Sequence, residues 1–324
     1  MYSRSMYSVV TSIPVGSHPR DLVIAPDGNT IYVANVNSSD VSVVSRAEDT
    51  MLRTVTLDSD PVSIVVHPDG DRAYLARPGD GFISVIDTVS GTVVADIAQD
   101  PQPVSLAIAP GGERLYAVCD TAGAVKVYRT DSMTVSATIA VGAAPRKAVV
   151  SPAGDSLWVA NSGYSHRCNG TVSVIDVRAG AVTATIPVGN EPAAVAISPD
   201  GATVYAGAGS PGKATVAVID ARSRTVTDVV AVGSGPTEIA VGPDGATVFV
   251  ANRGDGTVSL LDAATRTVVR TAKVGGNPSA IAAHPDGDVV YVATGSGNSI
   301  AVLAELSAET YGVEHFWRQR RVAS

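Results

Sequence analysis

The chain has 324 residues, of which 45% are apolar and 17% charged, so it has enough apolar material for a packed core and is not typical of a disordered protein. Its 23 Lys and Arg residues against 31 Asp and Glu residues give a net charge of -8, which disfavours nucleic acid as a partner. Asp, Gly and Pro interrupt every hydrophobic stretch well before the roughly 20 residues that a membrane helix needs, so no membrane partner is expected.

The first predicted element is a strand at residues 9–16. Only Met1 to Met6 precede the strand-like sequence, which is too short for a secretion signal, so we expect a cytoplasmic protein unless a leader was removed. The sequence of this strand, VVTSIPVG, corresponds position by position to VTATIPVG at residues 182–189. The first strand therefore has the sequence pattern of one strand of a repeat that occupies most of the remaining chain.

The repeat is marked by a tight turn of the Pro-Asp-Gly type, which recurs at intervals of 42, 42, 42, 47, 44 and 42 residues. A second proline stands seven residues before each turn proline, and an aromatic residue stands six residues after it. These aromatic residues are Tyr32, Tyr74, Tyr116, Trp158, Tyr205, Phe249 and Tyr291. Because nearly half of the chain's aromatic residues occupy this one position, we interpret it as an anchor in the core.

Each repeat contains four short segments rich in Val and Thr and bounded by Gly and Pro, a pattern typical of strands and not of helices. In one repeat, strand A is at residues 192–198, strand B at 203–206, strand C at 215–219 and strand D at 225–232. Four antiparallel strands in about 42 residues are typical of a β-propeller blade. A flat solenoid would need polar caps at its ends, and none is seen.

The last repeat has strands at 278–283, 289–293 and 299–303 but no fourth strand. The strand at 9–16 matches the missing strand D, and its pairing there would close the ring and remove an exposed sheet edge. We therefore predict an all-β, seven-bladed β-propeller as a single domain at 7–303, followed by an extension at 304–324. The blades begin at residues 19, 61, 103, 145, 192, 236 and 278.

The segments YVAN at 32–35, WVAN at 158–161 and FVAN at 249–252, together with TVSVID at 171–176, resemble the YVTN-type β-propeller repeat. The resemblance covers residues 9 to about 303 and implies the propeller fold. Proteins with this repeat include surface-layer and exported binding proteins, and related propellers include lactonases and lyases.

Charged residues interrupt the repeat at the start of strand A, where the D-to-A and B-to-C loops of a propeller share the face on which the central channel opens. Blades 1, 4 and 6 place Arg20, Asp21, Arg146, Lys147 and Glu238 there. We interpret them as an anion or carboxylate site, in which the basic residues are donors and an acidic residue is a general base. The alternative is a set of solvent-exposed salt bridges with little effect on stability.

Blade 4 carries an insertion between strands B and C, which accounts for the 47-residue interval. It adds Tyr164, His166, Arg167 and Cys168 to the same face, with His166 as a candidate catalytic acid or base. Insertions in one repeat often mark the binding side, although a surface insertion without function is equally compatible with the sequence.

The remaining candidates for chemistry are weaker. Cys119 at the end of a strand B could lie near Cys168. A disulfide between them is not expected in a reducing compartment. A metal site formed with His166 is not expected either, because the ligands do not have an established zinc spacing. Two histidines before the turns, His67 and His284, are explained by turn hydrogen bonds. No phosphate loop, serine elbow or paired-cysteine motif occurs, so no cofactor and no metal are expected.

The leading functional hypothesis is a rigid binding propeller that recognises a small molecule or a protein at the channel mouth. The second is an enzyme on that face, a lyase, lactonase-type hydrolase or cyclase-type isomerase, which uses Lys147, Glu238 and His166. A convergent pocket with these side chains at hydrogen-bond distance would favour the enzyme. An open face with its charges paired would favour the binding protein.

Overall fold

The computed structural model describes residues 6–98, 102–163, 169–209 and 214–306, which form seven four-stranded antiparallel sheets. Each sheet is a blade whose first strand contacts the first strands of both neighbouring blades, so these inner strands surround a central channel. The predicted seven-bladed all-β propeller is confirmed. The described part of the chain contains no helix that could cross a membrane.

The strands are numbered in chain order. Blade 1 contains β2 (Pro19–Ile24), β3 (Thr30–Asn35), β4 (Asp40–Ser45) and β5 (Thr50–Thr56). Blade 2 contains β6 (Ser63–Val66), β7 (Arg72–Arg77), β8 (Phe82–Asp87) and β9 (Thr92–Ala98). Blade 3 contains β10 (Ser105–Ile108), β11 (Arg114–Cys119), β12 (Ala124–Arg129) and β13 (Thr134–Ala140). Blade 4 contains β14 (Pro145–Val150), β15 (Ser156–Asn161), β16 (Asn169–Asp176) and β17 (Ala181–Asn190).

Blade 5 contains β18 (Ala194–Ile197), β19 (Thr203–Ala208), β20 (Thr215–Asp220) and β21 (Thr225–Ala231). Blade 6 contains β22 (Pro236–Val241), β23 (Thr247–Asn252), β24 (Thr257–Asp262) and β25 (Thr267–Lys273). Blade 7 contains β26 (Pro278–Ala283), β27 (Val289–Thr294) and β28 (Ser299–Leu306), and its outer strand is β1 (Met6–Pro14). A single 3-10 turn at Gly295–Gly297 joins the last two strands of that blade.

The ring closes through the antiparallel pairing of β1 with β28, as the sequence predicts. The N-terminal strand starts at Met6 and ends at Pro14, whereas the repeat pattern placed it at 9–16. It begins earlier because β28 continues to Leu306, which pairs with Met6 and so extends the ladder beyond the repeat. Tyr7 on this strand packs edge-on against Phe249 of blade 6, with ring centroids 5.4 Å apart.

The buried side chains of the described residues form seven clusters, one at each seam between neighbouring blades. Each cluster contains one of the seven repeat aromatics, and none of these side chains is more than 4% exposed. The aromatic position is therefore a packing anchor, because it fills the wedge between two blades. The glycines of the seven Pro-Asp-Gly-type turns share one backbone conformation. All seven have positive φ, and they are Gly28, Gly70, Gly112, Gly154, Gly201, Gly245 and Gly287.

Hydrogen bonds from side chains at the channel mouth join four pairs of adjacent inner strands. Asp21 Oδ2 accepts from the Ile64 N–H (3.1 Å), and Ser63 Oγ accepts from the Leu106 N–H (3.1 Å), which links blades 1, 2 and 3. The hydroxyls of Thr237 and Ser279 donate to carbonyls of the next blade, which links blades 6, 7 and 1. Within the described residues, no such bond joins the inner strands of blades 3 to 4, 4 to 5 or 5 to 6.

A glycine and an asparagine from neighbouring blades meet at three seams, and blade 4 shows why both residues recur. A Cβ added to Gly142 would lie 2.6 Å from Cγ of Asn161, which is buried and donates to Ser173 Oγ at 2.9 Å. We expect Gly142→Ala to lower the free energy of unfolding by about 1–3 kcal/mol, because the asparagine has no room to move. Chemical denaturation would measure this. Gly79→Ala, where a Cβ meets nothing within 4 Å, is the control, and an equal loss there would contradict the explanation.

Candidate functional site

A pocket of about 350 Å³ lies at the mouth of the central channel, and we call it the mouth pocket. The first or second residue after the strand-opening proline of every blade contributes to its wall. These residues are Arg20, Asp21, Val62, Ser63, Val104, Ser105, Arg146, Lys147, Ala193, Thr237, Glu238 and Ser279, and Pro78 and Arg253 complete the lining. The regular register of the inner strands thus brings residues that are far apart in sequence to one concave surface.

Three charged side chains from three blades meet inside the mouth pocket. Lys147 Nζ lies 2.7 Å from Glu238 Oε2 and 3.8 Å from Asp21 Oδ1. The side chains are only 22%, 12% and 10% exposed, respectively, so this is a largely buried group and not a solvated rim salt bridge. We call Asp21, Lys147 and Glu238 the ion trio. It connects blades 1, 4 and 6 across the channel.

Burial and mutual attraction act on the protonation of the ion trio. Desolvation would lower the pKa of Lys147, but attraction to Asp21 and Glu238 outweighs it and raises this pKa above its ordinary value. Desolvation also raises the pKa of Glu238, and the nearby ammonium only partly opposes this. At neutral pH the lysine is thus held as a cation, while Glu238 is a more basic carboxylate than an exposed glutamate.

The two carboxylates differ in their partners. Asp21 accepts hydrogen bonds from two backbone N–H groups, of Leu22 to Oδ1 (3.0 Å) and of Ile64 to Oδ2 (3.1 Å). These bonds fix it in the wall between blades 1 and 2. Glu238 contacts Lys147 through Oε2. Glu238 is therefore the better placed of the two to take a proton from a bound molecule.

Three arginines surround the ion trio on the solvent side. Arg146 Nη1 lies 3.3 Å from Asp120 Oδ2, whereas neither Arg20 nor Arg253 forms an ion pair with another described residue. The pKa of Arg20 is lowered, first by partial desolvation within the concave mouth and then by repulsion from Arg253. Asp21 and Glu238 also attract Arg20, but the lining carries four cationic side chains against these two carboxylates, so the mouth pocket favours a bound anion.

A larger cavity of about 840 Å³ opens beside the mouth pocket, and we call it the blade 5 cleft. It shares Arg146, Ala193, Thr237 and Arg253 with the mouth pocket, so the two are continuous. The remaining lining residues come from loops of blades 4 to 7, and they are Ser162, Gly163, Glu191, Gly209, Ser234, Gly235, Pro236, Gly254 and Asn277. Blade 5 contributes Ala193 to this lining, at the position where blades 1 and 4 carry Arg20 and Arg146.

The structure brings five of the predicted site residues together, namely Arg20, Asp21, Arg146, Lys147 and Glu238. The candidates of the blade 4 insertion, Tyr164, His166, Arg167 and Cys168, lie outside the described residues. Arg253 was not predicted. The available signal was its position directly after strand B, where it is the only basic residue among the seven repeats.

Residues that the sequence set aside have structural roles. His284 Nε2 donates to the carbonyl of Gly28 (2.6 Å), while Nδ1 accepts from the Asp286 N–H (3.1 Å), and this joins blade 7 to blade 1. Asp286 and Asp288 near this histidine pair with Arg46. Cys119 is buried, and burial raises the pKa of its thiol to about 11, so it is a weak nucleophile.

Comparison with known proteins agrees with this architecture. A family model described as a lactonase, 7-bladed β-propeller, matches residues 3–64 and 162–273, which together are more than half of the chain. No curated protein matches the chain. Among solved structures, hydrazine synthase of Kuenenia stuttgartiensis is similar in fold, with a TM-score of 0.83, 21% identity and coverage of 89% of this chain and 95% of that chain. At this identity the likeness concerns the fold alone.

Proposed function

Since the chain belongs to the lactonase family of seven-bladed β-propellers, we propose that it is an enzyme that hydrolyses a lactone carrying a carboxylate or phosphate group in the mouth pocket. The observation that carries the proposal is the pairing of Lys147 with Glu238 at 2.7 Å inside a concave pocket bordered by three arginines. Such a convergent arrangement is what acid-base chemistry requires. A protein-binding face would need no buried carboxylate of raised pKa.

The proposed chemistry assigns one role to each charged group. Glu238 accepts a proton from a water molecule as the water oxygen attacks the lactone carbonyl. Lys147 stabilises the negative charge that develops on the carbonyl oxygen, and its raised pKa keeps it protonated while it does so. When the ring C–O bond breaks, the ring oxygen takes the proton back from Glu238. The product is a hydroxy acid, and lactone and water account for all of its atoms.

The arginines supply substrate selection in this proposal. Arg20 and Arg253 line the mouth pocket without ion pairs to described residues, so a charged substituent on the lactone would provide their missing partner. Hydrogen bonds to charged groups contribute about 1.5–3 kcal/mol each. The same groups would hold the carboxylate that hydrolysis creates, so the hydroxy acid product should bind as well.

We expect Glu238→Gln to lower the hydrolysis rate about 10²- to 10⁴-fold, the usual contribution of a general base. The glutamine can still accept a hydrogen bond from Lys147 but carries no negative charge, so affinity for the anionic product should not fall. The measurement is acid release from a panel of five- and six-membered lactones with and without a carboxylate or phosphate, together with calorimetric titration of the hydroxy acids.

Two arginine variants complete the experiment. Arg253→Gln should weaken binding of the hydroxy acids by about 10-fold or more, whereas Arg222→Gln, on an exposed turn of blade 5, should not. Full hydrolysis by Glu238→Gln would refute the assigned base. Binding of acids by a wild-type protein that hydrolyses no lactone would instead support a binding protein that is not catalytic.

A further inference from the structure

At the seam between neighbouring blades, strand D of one blade faces the turn that joins strands C and D of the next. Between blades 1 and 2 this space is filled by Arg53 of β5, which donates to the carbonyls of Thr88 (2.5 Å) and Val89 (3.2 Å). The turn residue Gly91 leaves room for the guanidinium, because a Cβ there would lie 2.7 Å from Cζ of Arg53. A single long side chain therefore closes this seam.

Three further seams also have a long side chain at one of these two positions. Met133 in the turn of blade 3 packs against the cluster between blades 2 and 3. Arg224 in the turn of blade 5 donates to the carbonyl of Thr183 in blade 4 (3.4 Å). Arg266 has the same turn position in blade 6. The repeat thus fills the seam in several ways.

The seam between blades 3 and 4 has a small residue at both positions. Ala137 has the position on β13 that Arg53 has on β5, and Gly180 is the residue in the turn of blade 4. A groove of about 250 Å³ remains there, and we call it the seam 3–4 groove. It lies at the end of the blades opposite the channel mouth, next to the turn between β16 and β17.

Three guanidinium groups border the seam 3–4 groove, and none of the described residues in its lining is acidic. Arg129 pairs at 2.6 Å with Asp131, which is outside the lining. Arg114 donates to the carbonyl of Val177 (3.2 Å), and neither Arg114 nor Arg178 forms an ion pair with a described residue. The groove therefore has an excess of positive charge and favours an anion.

The same groove contains a buried hydroxyl without a partner. Tyr116 belongs to the lining and is 1% exposed, and its hydroxyl has no hydrogen-bond partner among the described residues. Burial raises the pKa of Tyr116 and Arg114 only partly opposes this, so at neutral pH the hydroxyl is protonated and can donate. A ligand oxygen would supply the missing partner. Most of the remaining wall is apolar and consists of Val127, Ala137, Ile139, Ile175 and Val177.

We propose that the seam 3–4 groove is a binding site for a small aromatic carboxylate. The carboxylate accepts hydrogen bonds from Arg114 and Arg178, and the ring lies against the apolar wall. The volume of about 250 Å³ is sufficient, because an apolar cavity of about 150 Å³ can hold benzene. The site is separate from the mouth pocket and does not depend on lactone hydrolysis.

The probes are para-fluorobenzoate, its uncharged counterpart para-fluorobenzamide, and acetate, which has the charge without the ring. Titration followed by fluorine NMR would measure the first two affinities, and competition would measure the third. The wild-type protein should bind para-fluorobenzoate at least about 10-fold more tightly than either of the others. Arg178→Gln should weaken this binding about 10-fold, whereas Arg222→Gln, at the same turn position of blade 5, should not.

Two substitutions of one glycine test whether the empty space is the site. Gly180→Met places a side chain where Met133 has one in blade 3, and it should abolish binding of para-fluorobenzoate. Gly180→Ala is the matched control. It requires the same positive φ of 62°, but its Cβ meets nothing within 4 Å, so the groove stays open and the affinity should stay within about twofold. Thermal melting would check that both variants fold.

Ala137→Arg fills the groove from its other side. It should also abolish binding although it adds a positive charge, because blade 1 carries arginine at this position and its seam is closed. Val135→Arg adds the same charge at a residue of the same strand that is 47% exposed and outside the lining, so it should retain the affinity. Arg253→Gln in the mouth pocket should retain it as well.

Equal affinity for para-fluorobenzoate and para-fluorobenzamide, or no binding of either, would overturn the proposal. Binding that survives both Gly180→Met and Ala137→Arg would also overturn it. A loss in Arg253→Gln with no loss in the groove variants would place the ligand in the mouth pocket instead. An equal loss in Gly180→Ala and Gly180→Met would show that the turn, and not the empty groove, controls binding.

Discussion

Replacing Lys147 with Met is expected to lower the free energy of unfolding by about 3 kcal/mol near pH 7, because it leaves Asp21 and Glu238 as two neighbouring carboxylates without their cation. Breaking a buried ion pair by removing one partner usually costs about 3–5 kcal/mol, and the partial exposure of these groups favours the lower end of the range. Chemical denaturation at fixed pH would measure the loss.

The loss should depend on pH in a predictable direction. The pKa of Glu238 is already raised above its ordinary value of 4.5 in the folded protein, and removing the ammonium raises it further. A carboxyl whose folded pKa is raised takes up a proton more readily in the folded state, so the variant gains stability relative to the wild type as the pH falls from 7 towards 5. In the wild type, Lys147 contributes fully to the free energy of unfolding below its ordinary pKa of 10.5. This contribution is lost only as the pH rises above that value.

Arg146→Met provides the control for this variant. Arg146 is the adjacent residue, and its ion pair with Asp120 is 48% exposed on the arginine side. Exposed pairs contribute about 0–1 kcal/mol, so this variant should be nearly as stable as the wild type and should show no recovery at pH 5. Equal free energies of unfolding for Lys147→Met and the wild type would show that the ion trio does not stabilise the propeller.

Removing the closing strand should have an even larger effect. Deletion of Met1–Gly16 is expected to abolish the cooperative unfolding transition, because it exposes the edge of β28 and removes Ile13, which is 1% exposed, from the seam between blades 7 and 1. Thermal melting followed by circular dichroism would show the change. A synthetic peptide with the sequence of residues 6–16 should restore a sharp transition by adding the strand in trans.

Two substitutions test the same seam without shortening the chain. Ile13→Asp places a charge in the core and should destabilise the protein by more than the roughly 2–5 kcal/mol typical of Ile→Ala. Ser12→Asp lies on the exposed face of the same strand and should be tolerated. A deleted protein that melts as sharply as the full chain would refute closure by the N-terminal strand.

The fold could be predicted from the sequence because the repeat shows the same local rule seven times. One proline, one glycine of positive φ and one aromatic residue per blade define the strand boundaries and the seams. The ends of the closing ladder were harder to place. Met6 and Leu306 pair beyond the repeat, where no sequence pattern recurs. Their pairing depends on how far β28 continues, which is a property of the assembled blade.

The site was predictable only in part. The register after each strand-opening proline correctly indicates that Lys147 and Glu238 face the same mouth, but it does not give the distance across the ring. That distance, 2.7 Å between Nζ and Oε2, follows from the ring diameter and the lengths of both side chains. The blade 5 cleft is harder still to predict, because small residues such as Ala193 and Gly209 line it. Alanine and glycine are common throughout the repeats, so their presence at these positions forms no recognisable motif.

The hydrogen bonds between inner strands have a mechanical consequence. They join blades 6, 7, 1, 2 and 3 in sequence, whereas the described residues of blades 3 to 6 lack them. The ring should therefore be unequally stiff, and the sector around blade 5 should be its compliant part. Amide hydrogen exchange should be faster in β18 than in β2. A ligand that contacts both sides of this sector would connect inner strands that lack side-chain hydrogen bonds to one another. It should therefore slow amide hydrogen exchange there more than anywhere else in the ring.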